Sequence, residues 1–270
     1  GTAGNVLIDG ERPPSRSDAL SSVLSRLPAS AVERIDIIRG GAEGIDMQGK
    51  SIIANVIRKP DAGTTGAVSS GANVNTRGGS NINGNIQMQD QRGGRLLEAA
   101  LNAGAGVSNG ENYRQRIAPS GVTILEARSE SETDFANFSA TGAYESALFG
   151  GKVRINGQAN LNTFQSSSEE VQTIPLAGAQ FNQSENEYAS GELGLRYTRD
   201  IAGYGVELVA FQSLDREENT GVFNTSTFTS AGQKAGNSGQ SIARATVRLP
   251  PAGKLSFETG AESVYNWHKS

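Results

Sequence analysis

The stretch Lys152-Val153-Arg154-Ile155-Asn156-Gly157-Gln158-Ala159-Asn160-Leu161-Asn162 alternates without a break. Val153, Ile155, Gly157, Ala159 and Leu161 fall on one side; Lys152, Arg154, Asn156, Gln158, Asn160 and Asn162 fall on the other. A period of two is that of a β-strand, whose successive side chains point to opposite faces of a sheet. One face is apolar or small and the other polar, so such a strand separates two environments. The pattern returns over residues 241–249 and again over 254–267, where Leu255, Phe257, Tyr265 and Trp267 oppose Lys254, Glu258, Glu262 and Asn266.

Working outward, nine runs of this kind are expected near residues 65–76, 80–90, 95–107, 131–146, 152–165, 186–199, 204–217, 238–249 and 254–267. They reach the roughly 9–11 residues that a membrane-crossing strand needs. The connections fall into two classes. Those near 92–94, 149–151, 202–203 and 250–253 are short; those near 108–130, 166–185 and 218–237 are long and polar. Short turns at one end and long loops at the other are the habit of outer-membrane barrels. A soluble β-solenoid or sandwich would alternate too, but neither requires the two classes to sit at opposite ends. One antiparallel meander over residues 65–267 is therefore expected. Val153, Ile155, Leu161, Leu193, Leu195, Val247, Leu255 and Phe257 should face lipid, and Arg154, Asn156, Gln158, Asn160, Glu192, Arg244 and Glu258 the lumen or the plug.

Composition agrees with this reading. Mean hydropathy is −0.39, and no apolar run approaches the roughly 18 residues of a spanning helix. That argues against helical membrane proteins but not barrels, whose lumen faces are polar. The net charge of −4 leaves no basic footprint for nucleic acid. The chain has no cysteine, which rules out disulfides and thiolate metal sites. No enzyme or cofactor signature is present. His268 is the single histidine, and the Gly-Gly pairs do not precede a helix with a Lys-Ser or Lys-Thr pair, as a phosphate loop would.

Residues 1–60 have a different texture, that of a small mixed α/β unit. Val6-Leu7-Ile8 is a short strand closed by Asp9-Gly10. Leu20, Val23, Leu24 and Leu27 make one helix face after a cap at Ser17, ended by Pro28. Val32 to Ile38 is a strand mixing apolar and charged residues, Gly40-Gly41 breaks it, and Ser51 to Ile57 supplies another.

Three segments of this unit carry a family resemblance. Asn5-Val6-Leu7-Ile8-Asp9-Gly10 resembles the "VLIDG" strand of plug domains in TonB-dependent outer-membrane receptors. Leu27 to Gly40, reading LPASAVERIDIIRG, is similar to that family's "IPASAIERIEVIRG". Gly49 and Ile53-Ala54-Asn55-Val56-Ile57-Arg58-Lys59-Pro60 resemble the stretch leading into the first barrel strand. Order and spacing agree for all three. Gly41 stands where the family commonly has proline, Asp46-Met47-Gln48 replaces a Tyr-Gly context, and residues 51–54 lack the usual glycine pair. These departures leave the substrate class open.

The resemblance implies residues 1–60 as the C-terminal part of a plug and 61–270 as the first part of a transmembrane barrel. Plugged transporters of this kind have about 22 strands, so the natural protein is expected to continue past Ser270. The implied function is import of a scarce, bulky nutrient (siderophore, cobalamin or oligosaccharide) driven by a periplasmic TonB-type partner, with outer-membrane lipid around the barrel. The alternative is a structural or adhesive barrel that does not transport; less favoured is a soluble β-rich binding domain. A plug inside a polar lumen needs partners for its charges. Glu33, Arg34 and Arg39 are the plug candidates, and Glu192, Glu258 and Glu262 the barrel candidates. Arg39-Gly40 is the pair that the resemblance implies in such a network.

Overall fold

A computed structural model describes residues 6–10, 27, 29–39, 51–59, 63–76, 78–175, 177–250 and 257–270. They form two sheets. The smaller contains β1 (Val6–Ile8), β2 (Val32–Arg39) and β3 (Ile52–Arg58) in the order β1-β3-β2. β3 pairs parallel with β1 and antiparallel with β2, and a short 3-10 turn, Ala29–Ala31, leads into β2. The central strand reads Ile52-Ile53-Ala54-Asn55-Val56-Ile57-Arg58; Ile53, Val56 and Leu7 of β1 are buried. A near-continuous apolar run suits a strand covered on both faces. The expected helix face at Leu20, Val23 and Leu24 and the Gly40-Gly41 break lie outside the described residues, and Leu27 is a bend.

The larger sheet has nine strands: β4 (Gly63–Val74), β5 (Ser80–Arg92), β6 (Arg95–Ile117), β7 (Thr123–Leu148), β8 (Gly151–Ile174), β9 (Gly178–Ile201), β10 (Tyr204–Thr225), β11 (Thr229–Arg248) and β12 (Glu258–Lys269). Every strand pairs antiparallel with its sequence neighbour, so the order is the chain order from β4 to β12. The meander expected from the alternation is present, with no helix within it among the described residues.

Three two-residue turns close one end. Gly93-Gly94, Phe149-Gly150 and Ala202-Gly203 all have positive φ at both positions. That is the type I′ geometry whose twist matches antiparallel strands, and glycine adopts it without strain.

The other end differs from expectation. Residues 108–130, 166–185 and 218–237, read as long loops, are mostly paired strand; β7 alone runs 26 residues. The reason is physical. Hydrophobic alternation marks a strand only where its two faces meet different environments. In these outer segments both faces are polar, so the alternation fades while the backbone ladder continues.

Register sorts the side chains into two faces. One row across the apolar face reads Leu97, Tyr144, Ile155, Leu195, Ala210 and Ala243. Val153, Leu161, Leu193 and Val247 share this face. Arg154, Asn156, Gln158, Asn160, Glu192 and Arg244 share the other. Leu255 lies outside the described residues. Large apolar side chains such as Leu101, Leu161 and Leu193 are about half exposed. So extended an apolar surface marks contact with a membrane or a partner.

Along β6 this band runs from Leu97 to Val107, about 33 Å at the strand rise and about 25 Å after a barrel tilt. Above it the same face turns acidic, with Asp134, Glu132, Glu130, Glu185 and Glu187.

Candidate functional site: an ion-pair cluster between the two sheets

The two sheets meet through Arg58, the last residue of β3. The turn after β1 prepares it. Asp9 and Gly10 both have positive φ, and the Gly10 amide donates to Asn55 Oδ1 at 2.8 Å. This pins the Asp9 carboxylate beside the end of β3. Its Oδ1 accepts from the Arg58 backbone N–H at 2.9 Å, and its Oδ2 accepts from Arg58 Nε at 2.6 Å. Two Asp9 contacts thus fix the guanidinium plane and leave both Nη groups pointing away from the small sheet.

Those groups reach the larger sheet. Arg58 Nη1 lies 3.8 Å from Glu98 on β6, and Nη2 lies 3.7 Å from Glu145 on β7. Arg154 on β8 bridges the same two carboxylates more tightly, at 2.9 Å to Glu98 and 3.2 Å to Glu145. Lys152 adds a contact to Glu145 at 3.0 Å. The Arg58 side chain is 4% exposed, and Glu98, Glu145 and Arg154 are between 12% and 16% exposed. Three cations and three carboxylates therefore balance, with Arg58, Arg154, Glu98 and Glu145 largely dry and Lys152 and Asp9 at the wetter edge. Burial of this kind is tolerated only when each charge has partners.

Glu98, Glu145, Lys152 and Arg154 all belong to the polar face and sit near the type I′ turns. The small sheet therefore touches the polar face at its short-turn end. A belt of ion pairs continues sideways from this point. Glu207 on β10 holds Arg196 at 2.6 Å and Arg244 at 3.0 Å.

None of the residues nominated from sequence bridges the sheets in the described contacts. Arg34 pairs within its own strand, with Glu33 at 2.9 Å and Asp36 at 3.2 Å. Arg39 is exposed and has no ion-pair partner among the described residues. Glu258 faces Arg248 at 3.5 Å and Glu262 faces Arg244 at 3.9 Å, both within the large sheet. Glu192 stands on the polar face opposite Gln158 and Ser213. Alternation identifies which residues face the lumen side, but not which strands lie beside the small sheet. Those strands are β6, β7 and β8, not the C-terminal ones. Asp9 and Arg58 were nonetheless visible, since both sit within the quoted motifs.

No protein-family profile and no curated protein sequence matches the chain. Solved structures do resemble it. The receptor FpvA of Pseudomonas aeruginosa, bound to heterologous pyoverdines, is 12% identical, with a TM-score of 0.36, over 100% of this chain and 46% of that one. The siderophore receptor PiuA from Acinetobacter baumannii is 10% identical, with a TM-score of 0.27, over 98% and 54%. The ferric citrate transporter FecA in its unliganded form is 12% identical, with a TM-score of 0.25, over 99% and 48%. The chain spans about half the length of these structures.

Proposed function

We propose that this chain is part of a TonB-dependent outer-membrane receptor, with residues 1–60 from the plug and residues 61–270 from the barrel wall. The observation that carries the reading is the Arg58 cluster. A small sheet built from the plug-like motifs is held by buried ion pairs against the polar face of a nine-stranded meander. The opposite face carries an apolar band of membrane height, which supports an outer-membrane location. A plug fixed only by apolar contacts would be hard to release selectively. Charge pairs at 3.7 and 3.8 Å, on carboxylates that Arg154 also holds, separate without leaving those carboxylates bare. Arg58 is thus suited to a contact that a pull from the periplasm can break, with Glu98 and Glu145 remaining paired.

The test is energised uptake in cells producing the whole receptor. Ligand accumulation should require TonB and fall when the proton gradient is collapsed. Ligand binding with accumulation unaffected by deletion of TonB would favour the structural or adhesive barrel instead. Recovery of the whole protein in the aqueous fraction without detergent would sink both membrane readings.

A further inference from the structure

Above the ion-pair belt, the polar face changes character. On β5 it consists of four amides in succession, Asn81, Asn83, Asn85 and Gln87, with Gln89 and Gln91 continuing the line down into the rows of the belt. Neighbouring strands continue the theme. Asn85 donates to Asn102, which donates to Ser139 at 3.2 Å; Asn160 donates to Ser190 at 3.1 Å; Asn73 donates to Asn81 at 3.0 Å. Each primary amide can make about four hydrogen bonds, and these contacts use only some of them.

Charge is nearly absent from this wall. Between the belt and the Arg114–Glu170 pair near the outer end, the polar face of β4 to β9 has no lysine or arginine among the described residues. Glu192 is its one charged residue there. An anionic metal chelate would find no counter-charge on this surface, and the bare wall would favour a neutral solute. Apolar contact is also supplied. Phe135 and Phe164 lie directly opposite each other on β7 and β8, with Tyr188 of β9 on the same face one row below. Aromatic faces beside convergent amides offer one surface for the C–H side of a sugar ring and another for its hydroxyls.

We infer that the wall formed by β5 to β9 binds a neutral, hydroxyl-rich solute, an oligosaccharide, rather than an anionic ferric chelate. The inference rests on the reading of the chain as an outer-membrane receptor, and selects among that reading's substrates.

The experiment is calorimetric titration of the whole receptor in detergent with maltohexaose, ferric citrate and cyanocobalamin. Saturable binding of maltohexaose is expected, with no heat from ferric citrate. Asn160→Lys and Phe164→Ala should each weaken it at least tenfold. Ala159→Ser, on the opposite face beside Asn160, should leave it within twofold and so controls for misfolding. Binding of ferric citrate or cyanocobalamin with no response to maltohexaose overturns the inference while leaving the receptor reading intact. Binding of none of the three also overturns it. Loss of TonB-dependent uptake, measured separately, is what would remove the receptor reading itself.

Discussion

Arg58 does what a lysine at the same position could not. Its Nε is committed to Asp9 while its two Nη groups extend toward Glu98 and Glu145, three carboxylates on three elements. A planar fork with five donors can do this; an ammonium is a single point charge. Arg58→Ala should therefore destabilise the small sheet through Asp9, left partly buried without its partner. The wall carboxylates keep Arg154, so the loss belongs at the low end of the buried-pair range, about 3 kcal/mol. Urea titration followed by fluorescence should show a lower midpoint. An unchanged midpoint would mean that the cluster is a bystander. Arg39→Ala provides the contrast. That side chain is exposed, so the change should stay within about 0.5 kcal/mol in the same titration. Arg154→Ala is the severe case, since it strips the closest partner from Glu98 and leaves Glu145 to Lys152 and Arg58.

At the scale of elements, the outer halves of the hairpins are held together with little help from packing. In one register row Glu130 of β7 lies between Glu111 of β6 and Glu169 of β8. Like charges directly opposite one another on neighbouring strands destabilise a sheet by roughly 0.2–1 kcal/mol. Arg128 offsets part of this through Glu111 at 3.4 Å, a contact with both side chains about two-thirds exposed. Removing one charge should help. Glu130→Gln is expected to slow amide hydrogen exchange at residues 129–131 by about two- to fivefold at neutral pH. Raising the salt concentration should shrink that difference, because exposed charges are screened. Faster exchange in the variant would show that Glu130 is held by an attraction rather than strained by repulsion. These same segments lack the alternation that marks a strand. Their residues, such as Ser129, Ser131, Ser166 and Ser168, carry no apolar face to betray the strand.

The whole molecule presents one polar and one apolar surface, and each strand contributes to both. A single-residue slip of any strand would exchange its two sets of side chains. Asn160 and Leu161 are adjacent in β8 but face opposite sides. In the membrane-inserted receptor, Leu161→Cys should react with a lipid-soluble probe and Asn160→Cys with a water-soluble maleimide. The reverse labelling pattern would require the sheet to be turned inside out and would end the barrel reading. The position of the small sheet depends on the same orientation, because Arg58 touches the polar face alone.

Much of this was legible in the chain itself. The period of two in Lys152–Asn162 determines strand and face together, because a strand between two environments can satisfy both in no other register. The Gly93-Gly94, Phe149-Gly150 and Ala202-Gly203 pairs place the hairpin ends, because both turn positions need positive φ. The quoted motifs locate Asp9 and Arg58, though not their use. What only the tertiary structure decided is which strands stand beside β3. Glu98, Glu145 and Arg154 are charged positions among many on polar faces, and nothing local to them marks proximity to residue 58. The extension of β6 to β11 into the outer segments was likewise invisible. Alternation reports a difference between environments, and where water lies on both sides there is none to report.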